Sequence, residues 1–302
     1  MLSITAILIT NEMDLSVVIV SYNVSDLLRN CLGSVYKAVE NINSEIFVVD
    51  NNSSDDSCSM VSREYPDVTL ICNTVNAGYA AANNQALKKA GGRYILLLNP
   101  DTVVSENALT KSIKFMDSHL DGGALGVKMK DGDGDYLPES KRALPSPGSA
   151  FFKSFGFSYL FPDSKFFSRY YFKSVGIDET AKTEVISGAF MFIRSEVLTK
   201  TGLFDEDYFM YGEDIDLSYR ILKTGYFNYY YPEVVITHFK GKSTSRNNYD
   251  DILHFYKAMR IYVRKRSEEG LFPCSTKLII AGIIFREWFA LANRFLRIVM
   301  DH

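Results

Sequence analysis

The run Leu15–Ser21, L-S-V-V-I-V-S, is β-branched and almost wholly apolar, the pattern of a parallel strand covered on both faces. The period then changes: Leu27, Leu28, Cys31, Leu32, Val35 and Val39 recur at three-to-four spacing behind Ser25, a capping residue type, and predict an amphipathic helix. Short strands are expected at Glu45–Val49 and Thr69–Cys72, each followed by turn formers, Asp50-Asn51-Asn52-Ser53-Ser54-Asp55 and Asn73-Thr74-Val75-Asn76-Ala77-Gly78. A helix over Tyr79–Ala90 and a buried strand over Arg93–Leu98, ending at Asn99-Pro100-Asp101, complete an alternation that predicts an α/β wound sheet. Ligands of such sheets sit at the carboxyl ends of the strands, where Ser21-Tyr22-Asn23, Asp50-Asn51 and Asn99–Asp101 all fall.

Farther along, Ala124–Met129 reads as a strand leading into a turn at 131–135, and 150–173, rich in Phe and Tyr, as a long surface loop or lid. Strand character returns over 184–193, and helices are expected at Asp214–Thr224, 251–266 and 276–300. Alternate carboxylates in Asp131–Arg142 suggest a calcium loop, but Tyr136 stands where glycine is required and Arg142 where the closing Glu belongs, so a solvated hairpin is the better account. The first strand is followed by Tyr22-Asn23-Val24 with no G-x-G-x-x-G, which argues against a nicotinamide-dinucleotide enzyme.

At 302 residues, 47% hydrophobic and 23% charged, the chain has the composition of a globular protein with one large domain or two small ones, not of a disordered or collagenous chain. Its four cysteines (Cys31, Cys58, Cys72, Cys274) show no C-x-x-C spacing, no zinc cage and no disulfide framework, and a reducing compartment is the expectation. The net charge of -3 conceals a basic end: residues 240–302 carry 12 Lys and Arg against 6 Asp and Glu. No groove-reading or base-stacking motif accompanies it, so a nucleic-acid partner is not expected, whereas a membrane surface or a pyrophosphate suits it. Residues 1–12 lack the basic start and cleavage site of a secretory signal and read as a loose extension.

Three features carry chemistry. Asn99-Pro100-Asp101 would make a good β-turn, yet it places a carboxylate one residue past a buried strand, facing the ligand crevice. Tyr211-Gly212-Glu213-Asp214-Ile215-Asp216-Leu217 crowds three acids into one helix start. Each would stabilise it by about 0.3–1 kcal/mol through the helix dipole, which also favours the ionised form a general base needs. His238, a lone histidine at a strand end, would ordinarily be structural, but Lys240, Gly241, Lys242 and Ser243 follow it, a set suited to a metal and a diphosphate.

Taken together, V-V-I-V-S-Y-N (17–23), V-V-D-N-N-S-S-D (48–55), N-A-G-Y-A-A-A-N-N (76–84), L-L-L-N-P-D (96–101), S-K-R-A-L-P-S-P (140–147), S-G-A-F-M-F-I-R (187–194), G-L-F-D-E-D-Y-F-M-Y-G-E-D-I-D-L-S-Y-R (202–220) and H-F-K-G-K-S (238–243) resemble the family-2 inverting glycosyltransferases of the GT-A fold, in their rhamnosyltransferase-like branch. The resemblance implies a Rossmann-like mixed sheet flanked by helices over residues 13–245; residues 246–302, beyond it, read from their own pattern as basic, amphipathic helices. It implies that Ser21, Tyr22, Asp50 and Asn51 hold the nucleotide base and ribose, and that Asn76, Gly78, Asn83 and Asn84 line the ribose and diphosphate. Asn99-Pro100-Asp101 stands in for the D-x-D motif, with Asn99 a neutral contact and Asp101 a ligand of Mg²⁺ or Mn²⁺ that His238 completes. Asp214 matches the general base, with Glu213 as its understudy.

The implied activity is transfer of a sugar, rhamnose or another hexose, from a nucleotide diphosphate to a saccharide or lipid-linked saccharide in cell-surface polysaccharide synthesis, on the cytoplasmic side or the inner face of the membrane. Two rivals stand beside it. A sugar-nucleotide nucleotidyltransferase would need a Gly-rich basic loop after the first strand, and Val20–Asp26 has neither Gly, Lys nor Arg. The other is a non-catalytic sugar-nucleotide binding module, against which Asp101, Glu213, Asp214 and His238 argue. Outside the resemblance, Leu278–Met300 gathers Arg286, Glu287, Arg294 and Arg297 into one stripe, too interrupted for a spanning helix. An in-plane membrane helix, a homodimer contact and core burial are the three readings it leaves open.

Overall fold

The computed structural model describes residues 13–145, 175–239, 249–271 and 276–300. The expectations for residues 1–12, for the 150–173 loop and for Lys240–Ser243 lie outside the described residues. Among the described residues nine strands form one mixed sheet: β1 (Leu15–Ser21), β2 (Ser44–Asp50), β3 (Thr69–Cys72), β4 (Tyr94–Leu98), β5 (Thr102–Val104), β6 (Gly122–Lys130), β7 (Ala181–Thr183), β8 (Phe190–Arg194) and β9 (Phe227–His238). Their order is β3-β2-β1-β4-β8-β6-β9-β5, with β7 paired to β9. The four strands β3, β2, β1 and β4 run parallel, and β8 turns the sheet antiparallel against β4.

Alternation along the strands divides the core. Val17 and Ile19 of β1, with Leu96 and Leu98 of β4, pack under helices α1 (Ser25–Ala38), α2 (Ser57–Glu64) and α4 (Ala108–Ser118). Val18 and Val20, with Ile95 and Leu97, face α3 (Tyr79–Leu87), α5 (Ser195–Thr201) and α6 (Glu213–Lys223) on the other side. Both faces of β1 are therefore buried, which is why its sequence is a continuous apolar run rather than an alternating one.

Several boundaries differ from the expectation. The strand expected over 184–193 is only Phe190–Arg194, because the Phe190 amide turns back on the Ser187 carbonyl and Val185 bridges to Arg142 instead. Helix α3 stops at Leu87, and α2, α4 and β5 are elements that the hydrophobic pattern alone did not announce. Cys58 on α2 and Cys72 at the end of β3 are joined by a disulfide, a single bridge that the reading of a reducing compartment did not anticipate. Their separation of 14 residues carries no motif; it is the packing of α2 beside β3 that brings them together.

Helices α7 (Tyr249–Glu268) and α8 (Thr276–Met300) form a hairpin with its own small core: Ala258, Tyr262, Val263, Ile279 and Ile283 close over Tyr208, with Tyr211 and Ile215 at the edge. Core burial, the third reading of the last segment, thus holds for one face of α8. Among the described residues no helix is long and apolar enough to cross a membrane.

Candidate active site

Strand register sets the first group. Ser21 lies opposite Asp50 at the ends of β1 and β2, and both are buried. Asp50 Oδ2 accepts the Ser53 amide at 2.9 Å, whereas Asp50 Oδ1 and Ser21 Oγ have no hydrogen-bond partner among the described residues. A buried carboxylate oxygen without a donor costs free energy unless a ligand supplies one, so these two atoms mark a polar binding surface. Tyr22 stands beside them, 46% exposed.

The neighbouring amides are differently occupied. Asn51 donates to Asn76 Oδ1 (2.7 Å) and the Gly78 carbonyl (3.3 Å), and accepts from Asn73 Nδ2 (3.2 Å) and the Ala77 amide (2.9 Å). Every hydrogen-bonding direction of its side chain is spent on shaping the 73–78 loop. That loop ends at Gly78, whose φ of 85° and whose position, where a Cβ would lie 2.5 Å from the Phe209 carbonyl oxygen, both demand glycine. Asn84 points elsewhere: its Nδ2 donates to the Phe204 carbonyl and Glu206 and its Oδ1 accepts the Phe204 amide, so it clamps the 204–206 loop. Asn83 Nδ2 bonds back to the Tyr79 carbonyl, and its buried Oδ1 has no partner among the described residues.

The second group forms at the end of β4. Antiparallel pairing of β5 with β9 sets Thr102 opposite His238, and the Phe239 amide donates to the Asp101 carbonyl. This register delivers His238 Nε2 to 3.2 Å from Asp101 Oδ1, with both residues buried. His238 Nδ1 has no hydrogen-bond partner among the described residues. A buried carboxylate beside an imidazole nitrogen fits a hard divalent cation, Mg²⁺ or Mn²⁺, that takes its other ligands from phosphate oxygens and water. No cluster of three or more His, Cys, Asp or Glu that would close an all-protein cage occurs among the described residues.

The third group is the acid pair. Tyr211 (φ 67°) and Gly212 (φ 82°) are consecutive left-handed residues that swing the chain into α6, and a bulky residue in that region marks a strained, over-determined turn. Asp214 Oδ2 accepts from Arg142 Nη2 at 2.6 Å and from the Gly188 amide at 3.2 Å, and its Oδ1 accepts the Ile215 amide. Glu213 is buried, and its carboxyl is pushed up to about 8, first by burial and then by the charge of Asp214. The helix dipole was expected to keep these acids ionised; at Glu213 desolvation and a like charge outweigh it. Asp216, the third acid, serves structure: it pairs with Arg220 (2.7 Å) and with Arg266 of α7 (3.1 Å).

Tyr79 joins the second group to the third. Its hydroxyl is shared between Asn99 Oδ1 (3.2 Å) and the Gly188 carbonyl (3.3 Å), and burial pushes the phenol well up, with Glu213, Asp214 and Asp101 all adding to the shift. Neither Tyr79 nor Arg142 was named as a site residue from the sequence. Arg142 sits in the S-K-R segment already noted, and a cation directly before a Pro-containing loop was its only signal.

A mixed sheet with a nucleotide-suited edge, a carboxylate–histidine pair and an acid pair at a helix start define a sugar-transferring enzyme of the GT-A fold. The chain belongs to glycosyl transferase family 2, whose model matches residues 16–202. It is 27% identical over 265 residues to the N-acetylglucosaminyl-diphospho-decaprenol L-rhamnosyltransferase of Mycobacterium tuberculosis, covering 83% of this chain and 84% of that one. Rhamnosyltransferase WbbL of Escherichia coli K12 is 25% identical over 260 residues, covering 82% and 89%. Among solved structures, Staphylococcus aureus TarS 1-349 superposes with a TM-score of 0.55 at 20% identity, covering 91% of this chain and 72% of that one. The mannosyltransferase PcManGT of Pyrobaculum calidifontis, in complex with GDP-Man and Mn²⁺, does so with 0.57 at 18% identity, covering 95% and 79%. These two likenesses bear on the fold.

Proposed function

We propose that this glycosyltransferase moves a deoxyhexose or hexose, rhamnose before others, from a nucleoside diphosphate to a hydroxyl of a lipid-linked saccharide, inverting the anomeric centre, at the cytoplasmic face of a membrane where cell-surface polysaccharide is built. The two rhamnosyltransferase relatives support the sugar, and the diphospho-decaprenol in the name of one supports the acceptor class. The observation that carries the chemistry is the connected chain Asp214–Gly188–Tyr79–Asn99, which ties a carboxylate fixed by Arg142 to the turn that bears Asp101.

Ser21 Oγ and Asp50 Oδ1 meet the nucleoside, whose imide and ribose groups are donors suited to them. Asp101 and His238 would hold the divalent cation, which when bound neutralises charge on the departing diphosphate. Asp214 Oδ1 takes the proton of the acceptor hydroxyl as the acceptor's oxygen attacks the anomeric carbon and the bond to the diphosphate breaks on the opposite face. Arg142 supplies the countercharge and, with the Gly188 amide, fixes the carboxylate plane. Glu213, carrying a proton at neutral pH, adds no second negative charge beside the base. One displacement inverts the centre, and no covalent nucleophile is needed.

The test is a panel of nucleotide sugars with several saccharide acceptors, reading released nucleoside diphosphate and the anomeric configuration of the product by NMR. Transfer with inversion is expected. Absence of both transfer and hydrolysis across the panel would favour the binding module, and retention would remove Asp214 as the base of a single displacement.

A further inference from the structure

Helix α8 is built inside out. At about 100° per residue, Ile279, Ile283, Glu287 and Arg294 share one face. On that face Ile279 and Ile283 are buried and Glu287 is ion-paired with Arg260 of α7. The opposite half of the helix carries no charged residue from 278 to 300. It presents Phe285, Trp288, Phe289, Phe295 and Leu296, which are 50–72% exposed. A surface helix ordinarily turns its charges to water and its apolar stripe to the core; here a charged pair faces the neighbouring helix and the aromatic residues face out. Single exposed apolar residues need no account, but a continuous face of this kind marks an interaction surface.

We infer that this face is an in-plane membrane anchor whose partner is an anionic lipid surface. The charge of the hairpin decides the occupant: residues 249–300 carry nine Lys and Arg against five Asp and Glu. Lys257, Arg264 and Lys277 are exposed and form no ion pair with another described residue. A second copy would cover the apolar face while bringing two positive hairpins together, whereas an anionic bilayer satisfies both the apolar area and the cations. The inference deepens the proposed function and rests on its lipid-linked acceptor, because the same hairpin is fastened to the catalytic loop. Tyr208, Tyr211 and Ile215 pack into its core, Arg266 binds Asp216, and the Phe209 ring stacks on His254 at 4.3 Å. Asp214 precedes Ile215 directly, so the anchor and the proposed base are joined through one packed cluster.

Trp288 is the only tryptophan in the chain, and it stands in the middle of this face. Its emission therefore reports the surface in the unmodified full-length protein. Vesicles of phosphatidylglycerol and phosphatidylcholine should shift Trp288 emission to shorter wavelength and co-sediment the protein. Pure phosphatidylcholine should do so weakly, and raising salt should reverse the binding. The double variant Phe285→Ser and Phe289→Ser, at exposed positions, should reduce vesicle partitioning by roughly tenfold or more while turnover on a soluble acceptor stays unchanged. Emission that ignores anionic vesicles would overturn the inference. So would an emission already blue-shifted without lipid together with a dimer in sedimentation, which would assign the face to a second copy. Turnover on a soluble acceptor without vesicle binding would sink the anchor and leave the proposed function standing; vesicle binding without turnover of any nucleotide sugar would do the reverse.

Discussion

The two ends of the crevice treat their polar side chains in opposite ways. At the end proposed for the nucleotide, Asn51, Asn76 and Asn84 are absorbed in bonds to the protein itself, and Ser21 Oγ, Asp50 Oδ1 and Asn83 Oδ1 have no hydrogen-bond partner among the described residues. At the end proposed to react the acids answer to charge and burial rather than to side-chain amides: Asp101 lies beside His238, Asp214 is paired with Arg142, and burial beside Asp214 pushes the Glu213 carboxyl up. The amides make a shape, and the acids keep reactive groups in defined charge states. The difference also separates variants that disturb the loop from variants that disturb the chemistry.

The largest effect expected is at Asp101. Asp101→Ala should abolish metal-dependent binding of a nucleoside diphosphate, measured by calorimetry with Mn²⁺, while circular dichroism stays that of the folded protein. Unchanged metal-dependent affinity would take Asp101 out of the site and dissolve the distinction between the two ends.

Glu213 sharpens the comparison through pH. Its carboxyl stands at about 8 in the folded chain against an ordinary 4.5, so between those values the folded state binds more protons than the unfolded one. The stability it contributes is fully present below about 4.5 and is lost as pH rises through 8, with a slope of at most about 1.4 kcal/mol per pH unit. Glu213→Gln, which cannot ionise, should flatten the fall in denaturation midpoint between pH 5 and pH 8. An unchanged slope would show that Glu213 is already ionised.

The smallest effects distinguish amides within the nucleotide end. Asn84→Ala leaves the Phe204 backbone groups without partners and should cost about 1–3 kcal/mol of stability with donor KM unchanged. Asn51→Ala, which frees the 73–78 loop, should cost a similar amount and raise donor KM as well. Equal donor KM for both variants would mean that Asn51 has no bearing on the nucleotide.

Much of the wound sheet was legible because its strands are continuous apolar runs buried on both faces, and periodicity reads those directly. Asp101 and His238 could each be singled out as strand-end residues, but their meeting depends on the register of β5 against β9, a pairing across more than a hundred residues that no local pattern encodes. Asn51 in a turn, and Asn83 and Asn84 on a predicted helix, looked alike in sequence as amides near the strand ends. What separates them is which backbone lies opposite, and that is a tertiary fact. Arg142 was missed for the same reason, since its partner Asp214 is 72 residues away. The charged stripe of α8 was visible, but its direction was not: nothing local says that Glu287 turns inward to pair with Arg260 of α7.

The central claim is that Asp214 performs chemistry rather than capping, and Asp214→Asn tests it by measuring turnover and donor affinity on the same protein. Asparagine caps a helix nearly as well as aspartate, so a capping role predicts near-normal turnover. A general-base role predicts donor and metal affinity near wild type with turnover reduced by at least about 10²-fold. Near-normal turnover in Asp214→Asn would contradict the account, and loss of activity in Glu213→Gln in its place would transfer the role to Glu213.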